Sequence, residues 1–165
     1  MEPIRKLVLL GTGLIAGSFS LALKRAGLVE QVVGVGRSPE NLQRGLELGV
    51  IDEASHDAAS AVVDADFVLL GTPVGQMGRL MQAIAPNLAP GCIVSDAGST
   101  KQDVCALFRE HLAAHLAYCV PAHPIAGSEL SGASAATYGL YEGRRVVLAP
   151  FAETDADAIS RVQSL

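Results

Sequence analysis

Apolar residues along this chain fall into short unbroken runs separated by longer segments in which they recur at helical spacing. Leu7, Val8, Leu9 and Leu10 form the first run, the pattern of a strand buried on both faces of a parallel sheet. Asp66 to Leu70 (DFVLL), Cys92 to Ser95 and Ala117 to Val120 repeat it, and Gln31 to Gly36 (QVVGVG) is a shorter β-branched segment. Val50 to Glu53 is a brief candidate strand and Arg145 to Ala149 (RVVLA) a last one. Between them, Leu14 to Gly27, Pro39 to Leu48, Gly75 to Leu88 and Thr100 to Leu112 read as helices, and Asp155 to Leu165 begins an amphipathic one. Strands alternating with helices predict an α/β fold with a doubly wound, mostly parallel sheet.

The junction between the first strand and first helix organises the rest. Gly11 suits the tight turn out of the strand, Gly13 lets a pyrophosphate approach the backbone, and Ala16 takes the small position where helix meets sheet. Thr12 fills the turn, and Leu14, Ile15 and Ala16 supply the first-turn N–H groups at the positive end of the helix dipole. This is a Rossmann-type fingerprint for a dinucleotide. A site for NAD usually carries Asp or Glu at the end of the second strand to bind the ribose 2′-hydroxyl. Here stand Gly36, Arg37 and Ser38, donors that match a 2′-phosphate, with no carboxylate in the motif to repel it. NADP is the expected cofactor, with NAD the alternative. Ser38 also suits the cap of the helix opening at Pro39, and Arg37 a solvated loop position. Gly71, Thr72, Pro73 and Val74 follow a strand at its carboxyl end, where ligands of open α/β sheets bind; Gly and Pro would make a turn there in any case.

Composition narrows the partners. A chain of 165 residues with 50% hydrophobic content suits one core, so residues 1–165 are expected to form one dinucleotide-binding domain. Charged residues are 18%, the net charge is -5 and no Lys/Arg run occurs, which argues against nucleic acid and anionic membranes. No apolar run approaches the ~20 residues of a membrane span, and the start of the chain lacks a signal-peptide pattern, so a cytoplasmic location is expected. The 3 cysteines, Cys92, Cys105 and Cys119, make no C-x-x-C pair and read as buried thiols rather than disulfides or metal ligands.

His123 is the candidate for chemistry. It follows a strand and precedes Pro124, which predicts a loop position with extended backbone at the cleft edge. An imidazole, ordinarily titrating at ~6.5, can take a proton from a hydroxyl while hydride leaves the same carbon for a nicotinamide. A loop histidine also commonly bonds nearby carbonyls. Ser99 and Gln102 fit a capping box on the following helix, a structural role that coexists with facing the cleft. His111 and His115 have metal-ligand spacing but no accompanying motif, and no metal is expected; His56 supports no inference.

The segments G-T-G-L-I-A-G-S at 11–18, T-P-V at 72–74, D-A-G-S-T-K at 96–101 and H-P-I-A-G-S-E-x-S-G at 123–132 together closely resemble the prephenate/arogenate (cyclohexadienyl) dehydrogenases. The resemblance implies oxidative decarboxylation of prephenate or arogenate in tyrosine biosynthesis, with hydride passing to NAD(P). It implies that His123 accepts the proton of the ring hydroxyl, that Ser99 helps hold that hydroxyl, and that Ser128 and Glu129 contact the substrate's side-chain end. Ala16 departs from the glycine more usual in this family. The family continues into a helical dimerisation and substrate domain that carries a cation for the substrate carboxylates. Residues 1–165 do not include it, so this chain alone is expected to bind NADP and turn over prephenate weakly or not at all, and a homodimer is expected only of the longer protein. Competing readings are another NADP-linked reductase or 3-hydroxyacid dehydrogenase, and a non-catalytic dinucleotide-sensing module, which gives His123 no role.

Overall fold

The structure, a computed structural model, describes residues 2–127 and 129–165. Strands β1 (Ile4–Leu10), β2 (Val29–Val35), β3 (Glu53–Ser55), β4 (Phe67–Leu70), β5 (Ile93–Asp96) and β6 (Cys119–Val120) form a parallel sheet in the order β3-β2-β1-β4-β5-β6. The intervening helices are α1 (Leu14–Ala26), α2 (Pro39–Glu47), α3 (Ala58–Ala61), α4 (Val74–Ile84) and α5 (Lys101–His111), with α6 (Ala156–Gln163) near the chain end. Two further strands, β7 (Ala122–Pro124) and β8 (Val146–Leu148), pair antiparallel as a separate ribbon.

The apolar run in β1 divides between two cores because successive side chains of a strand point to opposite faces. Leu7 and Leu9 join Val32, Phe67 and Leu69 against Ala16, Leu21 and Leu23 of α1. Val8 and Leu10 join Val33, Val68 and Leu70 against Met77 and Met81 of α4 and Val104 and Phe108 of α5. All four run residues are 0% exposed, each burial contributing about 1.5–3 kcal/mol. The chain leaves β1 toward β2 and β3 on one side, while β4, β5 and β6 build out on the other. The loops after β1 and β4 therefore diverge at a topological switch point, the crevice where such sheets bind ligands.

Several boundaries differ from the sequence expectation for identifiable reasons. Val50 and Ile51 are core side chains at the end of α2, so the third strand begins later, at Glu53. Pro86 confines α4 to Val74–Ile84 and leaves a 3₁₀ turn at Ala85–Asn87. Residues 113–118 form another 3₁₀ turn, and Pro121, which lacks an N–H, ends the parallel ladder after two residues of β6. The expected last strand, Arg145 to Ala149, consequently pairs with β7 instead of entering the main sheet. His123 lies in that ribbon, extended as expected but within a strand and not a free loop.

The Ala16 departure is compensated in space. A Cβ on Gly71 would lie 2.6 Å from the Ala16 Cβ and 3.2 Å from the Gly11 carbonyl oxygen, so volume added at Ala16 is removed at Gly71. Gly71→Ala is expected to destabilise the fold by about 1–3 kcal/mol through overpacking. The loss should shrink in an Ala16→Gly background, measured by urea unfolding; equal losses in both backgrounds would show that the two sites do not share this space.

Candidate active site

The β1–α1 turn is shaped by two glycines with different tasks. Gly11 has φ +97, and a Cβ there would lie 2.9 Å from Thr72 Cγ2 and 3.1 Å from the Gly71 carbonyl carbon; only glycine allows the loops after β1 and β4 to touch. Gly13 caps α1 with φ -87 and ψ -168, a conformation open to any residue, and a Cβ there would meet nothing within 4 Å. That open space lies before the first turn of α1, which holds no acidic side chain and whose leading N–H groups have no partners within the helix.

The turn borders a cleft of about 670 Å³ at the carboxyl ends of β1, β2 and β4. Gly11, Thr12, Gly13, Arg37, Ser38, Gly71, Thr72 and Pro73 line it, as the sequence anticipates. Leu14 and Ala16 are buried and, with Ile15 and Val74, are not among the lining residues, so any contribution from them is through backbone. Among the described residues, Thr72 Oγ1 is the buried side-chain polar atom left without a hydrogen-bond partner. An orphaned hydroxyl costs about 1–3 kcal/mol, which a ligand hydroxyl or phosphate in the cleft would offset.

At the β2 end Ser38 takes the cap position that the sequence allows it. The Ser38 hydroxyl donates to Glu40 Oε2 at 2.8 Å and accepts the Asn41 N–H at 3.1 Å, so its one proton is spent within the α2 cap and is not offered to a phosphate. The Glu40 carboxylate, held below its usual range by its own backbone N–H and by Ser38, stands beside that cap, although it does not line the cleft. Arg37 is exposed and does line it. So do residues the sequence reading passed over: Arg79 of α4, Gly132, His56 and Asn41. His56 Nδ1 donates to the Gly36 carbonyl at 2.8 Å. Asn41 Nδ2 donates to Thr12 Oγ1 at 2.8 Å, and Asn41 Oδ1 accepts the Ala133 N–H at 2.8 Å, tying the glycine turn to the segment beyond His123.

Farther along the same edge, β5 ends at Asp96, whose side chain is 0% exposed. Its Oδ2 accepts the Gly98 N–H at 2.7 Å and Lys101 Nζ; its Oδ1 accepts the Ala122 N–H at 3.0 Å. Burial pushes this carboxyl above its usual range, against the pull of Lys101 and the two N–H groups. Ser99 is exposed, and the residue capping α5 is Thr100, with no side-chain capping bond; the Ser99–Gln102 capping box does not form.

Ala122 and Pro124 line a second hollow of about 600 Å³, with Phe67, Leu69, Tyr141 and Arg144. Strand alternation turns His123 to the opposite side of β7, the side it shares with its cross-strand partner Val147, which is 51% exposed. The imidazole thus lines neither hollow and faces the open side of the ribbon. Glu129 is exposed, and Ser128 lies outside the described residues. Burial lifts the Cys92 and Cys119 thiols to about 12, leaving them poor nucleophiles at neutral pH. His111 ends α5 while His115 sits in the 3₁₀ turn, Nε2 at 3.1 Å from the Ala85 carbonyl, so the two do not share a helix.

The switch-point cleft, the glycine turn and the parallel sheet define a nucleotide-binding domain of the doubly wound class. Residues 19–165 match the family described as "Prephenate dehydrogenase, nucleotide-binding domain", and the chain belongs to that family. It is 34% identical to prephenate dehydrogenase of Bacillus subtilis over 167 residues, covering 100% of this chain and 45% of that protein. It is 35% identical to cyclohexadienyl dehydrogenase of Zymomonas mobilis, covering 98% of this chain and 55% of the relative. Among solved structures, prephenate dehydrogenase from A. aeolicus in complex with hydroxyphenyl propionate and NAD+ superposes with a TM-score of 0.88 at 31% identity, over 98% of this chain and 56% of that one. The chain therefore spans about half the length of the relatives it matches. No helix among the described residues is long and apolar enough to cross a membrane.

Proposed function

We propose that this chain is the cofactor-binding half of a prephenate or arogenate dehydrogenase that prefers NADP and carries out oxidative decarboxylation. The observation that carries the reading is one shared edge. Ala122, next to His123, is hydrogen-bonded to the last residue of β5, and β5 is separated from the glycine turn of β1 only by β4 and its Thr72 loop. The residues fit a dinucleotide: open space at Gly13 before the α1 N–H groups suits a pyrophosphate, and the unpartnered Thr72 hydroxyl suits a ribose or nicotinamide contact. Preference for NADP is supported by the Arg37 and Arg79 guanidiniums and the His56 ring along a cleft with no carboxylate among its described lining residues. Buried, unpaired thiols at Cys92 and Cys119 fit the reducing cytoplasm.

In the reaction, the bound cofactor supplies the hydride acceptor. His123 takes the proton of the substrate's ring hydroxyl, and Ser99, exposed at the same edge, helps hold that hydroxyl. Loss of carbon dioxide and aromatisation then drive the oxidation. Ser128 and Glu129 are assigned to the substrate's side-chain end, and the longer protein is assigned a homodimeric state.

Dissociation constants for NADP+ and NAD+ measured side by side, with prephenate- and arogenate-dependent reduction of each by the protein that carries this chain, test the reading. Arg37→Ala should weaken NADP+ by about 1.5–3 kcal/mol, roughly 10- to 150-fold, and leave NAD+ unchanged. Equal losses for both cofactors would remove Arg37 from 2′-phosphate recognition, and absence of turnover with both substrates would remove the activity.

A further inference from the structure

Ala122 is the residue where the chain leaves the parallel sheet and enters the β7–β8 ribbon. In that ribbon the Ala149 N–H donates to the Pro121 carbonyl and the Ile125 N–H to the Arg145 carbonyl, each at 2.8 Å. The backbone groups of residues 121, 123 and 125 therefore point toward β8, and those of Ala122 point away from it. They meet an ion pair instead of another strand. The Ala122 N–H donates to Asp96 Oδ1 at 3.0 Å, and Lys101 Nζ donates to the Ala122 carbonyl at 2.6 Å while also bonded to Asp96 Oδ2. The Ala122 carbonyl belongs to the peptide that joins Ala122 to His123, so the ammonium fixes the plane from which the His123 side chain springs.

We infer that the buried Asp96–Lys101 pair is a positioning device for His123, gripping both backbone groups of Ala122 so that the imidazole is presented in one orientation. This rests on the assignment of His123 as proton acceptor. The pair takes the place of a neighbouring strand on the unpaired edge of β7, with β8 holding the other edge. The Asp96 side chain is 0% and the Lys101 side chain 18% exposed, and a pair so placed is a weak source of net stability. An apolar pair of the same size would leave the Ala122 N–H and C=O without partners, so that only the β8 edge would hold the peptide. Two of the three donors of the Lys101 ammonium are thereby committed to Asp96 and to the Ala122 carbonyl.

The test uses steady-state kinetics of the protein that carries this chain, with prephenate and NADP+. Lys101→Met should lower kcat by about 10- to 100-fold, the scale of a small misplacement of a catalytic group, with KM for prephenate and the NADP+ dissociation constant unchanged. Lys101→Arg, which keeps a cation beside Asp96 and donors toward Ala122, should recover most of that loss. In a His123→Asn background, Lys101→Met should remove nothing further, because it acts through the missing ring. Where Lys101→Met melts below the assay temperature, Asp96→Asn/Lys101→Met, which buries no charge, is measured in its place against the same outcomes. A raised KM with kcat intact would make Lys101 a substrate ligand and overturn the inference. An equal further loss in the His123→Asn background would overturn it too. If His123→Asn alone leaves turnover intact, it is the base assignment that fails, and the positioning role falls with it.

Discussion

Replacing His123 with asparagine is expected to lower kcat for prephenate oxidation by about 10²- to 10⁴-fold, the usual contribution of a positioned general base. Asparagine keeps a polar side chain of comparable reach but has no basic nitrogen. The backbone that holds the residue does not depend on the ring: β7 is paired to β8 through Val147, and Ala122 is tied to Asp96 and Lys101. NADP+ binding and the unfolding midpoint should therefore be unchanged, since the ring does not line the dinucleotide cleft and faces the side of the ribbon shared with exposed Val147. Stopped-flow turnover together with calorimetric titration of NADP+ separates the outcomes. Loss of turnover with binding intact supports a base; parallel loss of both would make His123 a structural residue of the ribbon; intact turnover would take it out of the chemistry and favour a nucleotide-sensing role.

The parts of the site legible in the sequence are those made by contiguous residues whose physics is local. The β1 run and the Gly11–Gly13 turn are of this kind: four consecutive apolar residues must divide between two faces, and Gly11 serves the backbone of the turn while Gly13 leaves space beside it, wherever the rest of the chain goes. The Thr72 loop was legible for the same reason, as the first residues beyond a buried strand. What was illegible depends on which distant partner claims a polar group. Ser38 has one proton, and nothing in the motif says that Glu40 takes it. Asn41 reaches Ala133, 92 positions away, and His56 reaches Gly36 across 20, so neither announces a role in local spacing. The capping box at Ser99 failed to form in a loop that is organised around a buried carboxylate: Asp96 draws in the Gly98 N–H and Lys101, and the cap falls on Thr100. His123 follows a strand and precedes Pro124, which reads as a loop with extended backbone, yet the same extended backbone suits an antiparallel ribbon whose second strand comes only at Val146.

Gly13→Asp should abolish dinucleotide binding in a protein that is as stable as the parent. Gly13 is the N-cap of α1, with extended backbone angles that aspartate adopts without strain, and a Cβ there meets nothing within 4 Å. No side chain now caps that helix, and aspartate is a better cap than glycine by a few tenths of a kcal/mol, with its charge favoured by the helix dipole. Stability alone would therefore select Asp, Ser or Asn at this position. Binding reverses the preference, because the carboxylate would occupy the space a pyrophosphate needs and satisfy the N–H groups it would use. Like charges brought together at such a site cost several kcal/mol, and about 3 kcal/mol is already some 150-fold in affinity. Thermal unfolding and calorimetric titration with NADP+ and NAD+ read the two effects independently. An unchanged or higher midpoint with both cofactors lost would mark Gly13 as a residue kept for its ligand at the expense of a cap. Retained affinity would place the pyrophosphate away from α1, and a midpoint that falls together with affinity would make the glycine a requirement of the fold.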